Sequence, residues 1–377
     1  MPDSGVKDST TLPRGGDKPL SGKSFPAATI GPVPTGRSPG RRRLLLAILK
    51  YCASAAILTG LVVLLVRGEA FAQLAAHRKH WGLLGTSLAL SLAAVLITFV
   101  RWCLLARAVG LDFRLPSALQ FGFLGYLFNF VSLGTVGGDA FKAVLLARQQ
   151  HKHRTRAVAT VIVDRLVGLY ALGLVASGGV LATGFEADRS EFRVLAQATL
   201  AVTVVGTVAL ALFLWPGFTT GAFSEWLLSR PKFGAALRPV VDSLRMFRHG
   251  LRPLGVAIAL SLVVHTLSTI SIYLIALGLF GEAPSLAAHF VIAPLGMLAA
   301  ALPLPLGALG AFEAALAALY VAVPGGVRLT QVQGLLVAFG YRAITILIAM
   351  IGVGVWLTSR RQVAEAAAEA EAEPQPA

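Results

Sequence analysis

The sequence predicts an all-α polytopic membrane fold: six transmembrane helices plus two re-entrant helical hairpins, in an inverted-topology repeat. Three observations carry that prediction. Of 377 residues, 56% are hydrophobic and 14% charged, whereas about 25% are charged in an ordinary soluble chain. Six segments, 44–66, 82–106, 157–183, 194–215, 253–280 and 332–357, reach the roughly 20 apolar residues that a membrane-spanning helix needs. Two further apolar stretches, 117–149 and 286–323, are broken by Ser132-Leu-Gly-Thr-Val-Gly-Gly138 and Pro303-Leu-Pro-Leu-Gly-Ala-Leu-Gly310, runs that interrupt a helix.

In chain order, residues 1–43 are rich in Pro, Gly, Ser and basic residues without apolar periodicity. They cannot bury enough surface to order themselves and read as a disordered cytoplasmic tail. The apolar run from Leu44 to Val66 ends near Ala70-Phe71-Ala72, which resembles a signal-peptidase site. The run is longer than the roughly 7 to 15 residues of a signal core, so it reads as an uncleaved first span. The expected membrane domain covers 44–357, with halves 44–183 and 194–357. Between spans, Leu237, Val240, Val241, Leu244, Phe247 and Leu251 recur at helical spacing beside Arg238, Arg245 and Arg248. Segment 216–252 therefore reads as an amphipathic cytoplasmic helix, lying on the inner leaflet or packed on the bundle. Residues 358–377 form an Ala/Glu-rich cytoplasmic tail.

Charge fixes how the two broken stretches sit, because Lys and Arg in short loops mark the cytoplasmic side. With both stretches re-entrant, 23 Lys and Arg fall inside and 6 outside. Were 117–149 a full span, the cluster from Arg148 to Arg156 would move outside and the bias would largely vanish. Both termini are thus expected in the cytoplasm, in a multi-pass protein of the cell (inner) membrane. Each half then reads span, span, hairpin, span, with hairpins entering from opposite sides, an arrangement that places broken helices against each other near the midplane.

The net charge of +15 is spread over loops rather than gathered in a basic domain, which points to anionic lipid headgroups rather than nucleic acid. Cys52 and Cys103 lie in apolar runs and read as packing residues. No His pairs with Cys at metal-ligand spacing, so neither a metal site nor a cofactor is expected.

Only four basic residues lie within spans: Lys50, Arg101, Arg165 and Arg342. Lys50 and Arg101 are near enough to helix ends to snorkel. Arg165 and Arg342 sit deeper, in the spans following each hairpin. The acids at membrane depth are Asp139, Asp164 and Glu313. Asp139 with Arg165 and Glu313 with Arg342 match across the two halves. Ionisable groups in a bilayer are costly, so they pair, face the bundle interior and mark a pathway. A second reading stands beside this: Asp139 and Glu313 are helix caps at the hairpin breaks, with the arginines as structural partners. Asp164 points to another helix face and is equally a partner for a basic loop residue. His265 and His289 have weaker claims and read as packing residues.

Gly138-Asp139-Ala-Phe-Lys142, Asp164-Arg165, Leu306-Gly-Ala-Leu-Gly310-Ala-Phe-Glu313 and Tyr341-Arg342 together resemble the lysylphosphatidylglycerol synthase transmembrane region family, also called flippase-like membrane proteins, over about residues 44–357. In that family the first motif resembles Gly-Asp followed by Arg three residues on, and the third a Pro-Gly-Gly-x-Gly stretch ending in Glu. Lys142 here stands for the usual Arg, keeping charge but losing bidentate phosphate geometry, and Leu306 stands for one of the glycines. The resemblance implies a membrane domain that translocates or handles a lipid with a charged headgroup, anionic or polyprenyl-phosphate. It does not imply lysyl transfer, which in full-length synthases resembles the work of a separate soluble domain; this chain is expected to lack one. The expected lipid-binding residues are Arg165, Arg342, Asp139, Glu313, Asp164 and Lys142, the arginines on the phosphate. Two alternatives remain at this level. One is an intramembrane enzyme acting on a lipid phosphate, with Asp139 and Glu313 as general acid and base. The other is an accessory subunit that presents lipid to a partner enzyme.

Overall fold

In a computed structural model of the chain, the described residues are 69–131, 135–150, 153–183, 190–214, 251–301, 310–323 and 326–358, with a few isolated positions besides. All of them fall in one unit, Ala47–Ala377. Outside the described residues lie both tails, most of the expected first span 44–66, nearly all of the segment 216–252, residues 132–134 of the first hairpin break and 303–309 of the second.

The described elements are all helical: α1 (Ala70–Ala76), α2 (Trp81–Ala108), α3 (Leu115–Val131), α4 (Thr135–Gln149), α5 (Arg154–Ala182), α6 (Ser190–Leu214), α7 (Leu251–Phe280), α8 (Leu286–Ala301), α9 (Ala311–Ala322) and α10 (Gln331–Thr358). Five of them, α2, α5, α6, α7 and α10, are long and apolar enough to cross a membrane. They coincide with five of the six expected spans. The protein is a multi-pass membrane protein.

Each broken stretch is a pair of shorter helices. α3 has 17 residues, α4 15, α8 16 and α9 12, so at about 1.5 Å per residue each spans at most roughly 26 Å, short of a hydrocarbon core of about 30 Å. Within the first pair the two helices approach at glycines. A Cβ on Gly138 would lie 2.0 Å from the Gly125 carbonyl oxygen, and one on Gly125 would lie 2.5 Å from Lys142 Cγ. The Gly138 N–H also donates to Asn129 Oδ1 across the pair, at 3.2 Å. In the second pair, α9 opens at Gly310, whose φ of 94° is open to glycine at little cost.

Packing recurs between the halves. α2 lies along α7, their extensive contact being the largest in the bundle. Around it, α3 packs on α4 as α8 packs on α9, and α4 packs on α5 as α9 packs on α10. The pairs also cross over, α3 meeting α10 and α8 meeting α5. The α2–α7 seam is buried and polar. The Ser271 hydroxyl sits 2.7 Å from those of Ser87 and Ser91, with all three side chains buried. Small residues and shared hydroxyls of this kind join helices where lipid supplies no hydrophobic drive. Cys103 is a free, buried cysteine.

Candidate functional site

The crossing of the two halves leaves a cavity of about 330 Å³ whose wall is drawn from α2, α3, α4, α5, α7, α8, α9 and α10. Asp139, Lys142, Asp164, Arg165 and Arg342 all line it. Glu313 stands behind the wall, buried, and holds Arg342. The six residues singled out from the sequence therefore form one cluster, although they come from four helices.

The second half contributes a closed pair. Arg342 Nε and Nη2 donate to Glu313 Oε1 at 2.9 and 2.7 Å. Glu313 Oε2 accepts the Gly310 N–H at 2.9 Å. Glu313 is thus the cap of α9 and the partner of Arg342 at once, so the two readings coexist on one side chain. The Arg342 guanidinium also lies 5.9 Å from the centroid of the Phe312 ring.

The first half is built differently. Asp139 is the fifth residue of α4 rather than its N-cap, so the capping reading does not apply to it. The helix starts earlier than the Gly-Gly step implied, because Gly137 and Gly138 are taken up into its first turn against α3. Asp139 Oδ1 accepts from Lys142 Nζ at 2.7 Å, and Oδ2 lies 3.5 Å from Arg165 Nη1. Lys142 is also 5.7 Å from the centroid of the Trp102 ring. The Arg165 side chain keeps 43% exposure, the most of any charged partner here.

Asp164 has a partner that the sequence reading placed elsewhere. Arg101 does not snorkel to an interface: it is 4% exposed. Its Nε and Nη2 donate to Asp164 Oδ1 and Oδ2 at 2.8 and 3.0 Å, and Nη1 donates to Ser261 Oγ at 2.7 Å. α2 runs a further two turns beyond Arg101, to Ala108, which keeps the guanidinium inside the bundle. A bidentate carboxylate in a dry setting then holds it more firmly than an interface would. Asp164, expected as a lipid-binding residue or as a partner for a basic loop residue, instead holds a basic residue of another helix.

Arg101, Lys142, Arg165 and Arg342 face Asp139, Asp164 and Glu313, a surplus of one positive charge at the cavity among the described residues. Arg165 carries it, since its one described ion pair is to a carboxylate already taken by Lys142 at shorter range.

Both histidines are satisfied. His265 Nε2 donates to the Gly168 carbonyl at 2.9 Å and its ring lines the cavity. His289 is fully buried away from it, Nδ1 donating to the Ser285 carbonyl and Nε2 accepting from the Tyr320 hydroxyl. Tyr126 and Asn129 also line the cavity. Nothing in the spacing of α3 marks these two, because that helix is apolar nearly all round and shows no polar stripe.

Residues 51–352 match the family described as the lysylphosphatidylglycerol synthase TM region. The chain belongs to this family. No curated protein and no solved structure matches it. As a lysylphosphatidylglycerol synthase TM region protein, the chain is an integral membrane protein in a setting of membrane lipid. The matched segment takes in every cavity residue named above.

Proposed function

We propose that the protein is a flippase-like lipid translocase that takes a lipid with an anionic headgroup, a phospholipid or a polyprenyl phosphate, into the cavity between its two halves. The carrying observation is the surplus cation at Arg165, exposed into a cavity that is otherwise charge-paired. A cation at membrane depth without a full counter-charge is costly, and an anionic ligand relieves that cost. Arg165 binds the phosphate, with Lys142 and Arg342 lending charge from positions held by Asp139 and Glu313.

The topology proposed is that of six spans, 44–66 among them, and two re-entrant pairs entering from opposite sides, with both termini cytoplasmic in the cell (inner) membrane. Its domain limits are 44–357, with halves 44–183 and 194–357. The reciprocal packing of α3 on α10 and α8 on α5 supports an inverted repeat. So does depth. Arg165 and Arg342 are each the twelfth residue of their helix, roughly 16 Å in at 1.5 Å per residue, about half a hydrocarbon core. The charge bias of the loops supports the orientation. Asp139 and Glu313 are both committed as acceptors to basic partners, which favours translocation over acid–base chemistry.

The test is leaflet exchange in proteoliposomes carrying labelled anionic phospholipids or polyprenyl phosphate. The reading expects exchange by the wild-type chain and its loss in Arg165→Ala. Exchange that survives the Arg165→Ala, Arg342→Ala double variant undiminished would overturn it.

A further inference from the structure

A second, larger cavity adjoins the charged one. It is an apolar groove of about 640 Å³ between α5, α6 and the start of α7, with Leu298 and Ala301 of α8 also in its wall. Its volume falls within the roughly 300–1,000 Å³ of small-molecule sites. Leu169 and Ala301 line both cavities. Leu169 is one helical turn beyond Arg165, so headgroup cation and groove wall share a face of α5.

We infer that this groove holds a hydrocarbon chain of the lipid whose anionic headgroup enters the charged cavity, an inference that rests on the proposed function above. A headgroup drawn to mid-depth inside the bundle needs an apolar exit for its chains, because the surrounding wall is packed protein. A free anion needs none. The groove supplies such an exit beside the surplus cation. Its polar side chains ask for nothing. Thr199 Oγ1 donates to the Leu195 carbonyl at 2.9 Å, Thr203 Oγ1 accepts from Ser177 at 3.0 Å, and the Tyr170 hydroxyl is 3.1 Å from Thr207 Oγ1. With these hydroxyls already bonded, the groove selects an occupant without polar atoms. Along α6 the lining runs from Ala198 to Leu210, roughly 18 Å at 1.5 Å per residue, a track suited to an extended acyl or prenyl chain. Val202, on that track, is strongly exposed, so the groove opens sideways toward lipid.

Gly206 gives a direct test. It lines the groove, and a Cβ placed there meets only Tyr170 Cδ2 at 3.7 Å, an ordinary contact. The backbone at Gly206 therefore accepts a side chain, and Gly206→Phe adds the bulk of a ring at the groove wall. Val205→Phe, on the exposed neighbouring face and outside the groove, is the control. Displacement of radiolabelled dioleoyl phosphatidic acid from the purified full chain is measured with three competitors: dioleoyl phosphatidic acid, dihexanoyl phosphatidic acid and glycerol phosphate. Micelle partitioning is common to all variants and cancels in the comparison.

The inference expects Gly206→Phe to weaken the long-chain competitor by about fivefold or more, the scale of overfilling an apolar site, leaving glycerol phosphate unchanged. Val205→Phe changes neither. A Gly206→Phe variant that keeps the wild-type long-chain preference overturns the groove and leaves the headgroup reading standing. Glycerol phosphate competing as well as the long-chain lipid for the wild-type chain also overturns it, marking a free-anion site. A wild-type chain that binds none of the three overturns both.

Discussion

The two halves of the bundle each set a carboxylate against an arginine and bond the pair differently. In the second half, one arginine meets one buried carboxylate, and the carboxylate's other oxygen caps a helix. Every charge there is answered. In the first half, one carboxylate is divided between a lysine at 2.7 Å and an arginine at 3.5 Å, and a cation is left over. On the proposed function, the difference separates a fixed prop from a site that a ligand would complete. It follows from one position: the residue three after the acid is Lys142 in the first half and Leu316 in the second. Lys142 takes Asp139 and thereby frees Arg165.

Breaking the closed pair should cost most. Glu313→Gln leaves Arg342 without its carboxylate, and a destabilisation of about 3–5 kcal/mol is expected for a buried pair deprived of one partner. Thermal unfolding in detergent would read this, and the double variant Glu313→Gln, Arg342→Met should recover most of it. Asp164→Asn strands the buried Arg101 in the same way, at about 3 kcal/mol, and Arg101→Met should again rescue. Next comes Gly138→Ala, whose methyl group collides with the Gly125 carbonyl oxygen at 2.0 Å. Overpacking of that kind costs about 1–3 kcal/mol, seen as a lowered melting temperature. Smallest is Arg165→Ala, which removes a half-exposed side chain from a long ion pair and should change stability by less than about 1 kcal/mol. A large loss of stability there would place Arg165 among the props and dissolve the contrast between the halves.

The membrane architecture could be read from apolar length alone: α2, α5, α6, α7 and α10 begin and end within a few residues of the expected spans. The charged pairs followed from the matched positions of acids and arginines in the sequence, since costly groups at membrane depth pair with one another. Two features did not follow. The Arg101–Asp164 pair joins helices far apart in the chain, and their mutual rotation is set by side-chain packing such as the Ser87–Ser91–Ser271 seam, which has no period in the sequence. The start of α4 was also hidden. Gly137 and Gly138 read as breakers, yet both are helical, and at Gly138 only glycine lets α4 approach the Gly125 carbonyl.

The central claim is that Arg165 is the ligand-binding cation and Arg342 its paired counterpart. Equilibrium binding of a long-chain anionic phospholipid, against a zwitterionic one of the same chains, tests it on the purified wild-type and Arg165→Ala proteins. The account predicts that the wild-type chain prefers the anionic lipid and that Arg165→Ala loses about tenfold in that preference, the worth of one charge-assisted hydrogen bond, with little change in melting temperature. An Arg165→Ala protein that keeps the full preference would contradict it.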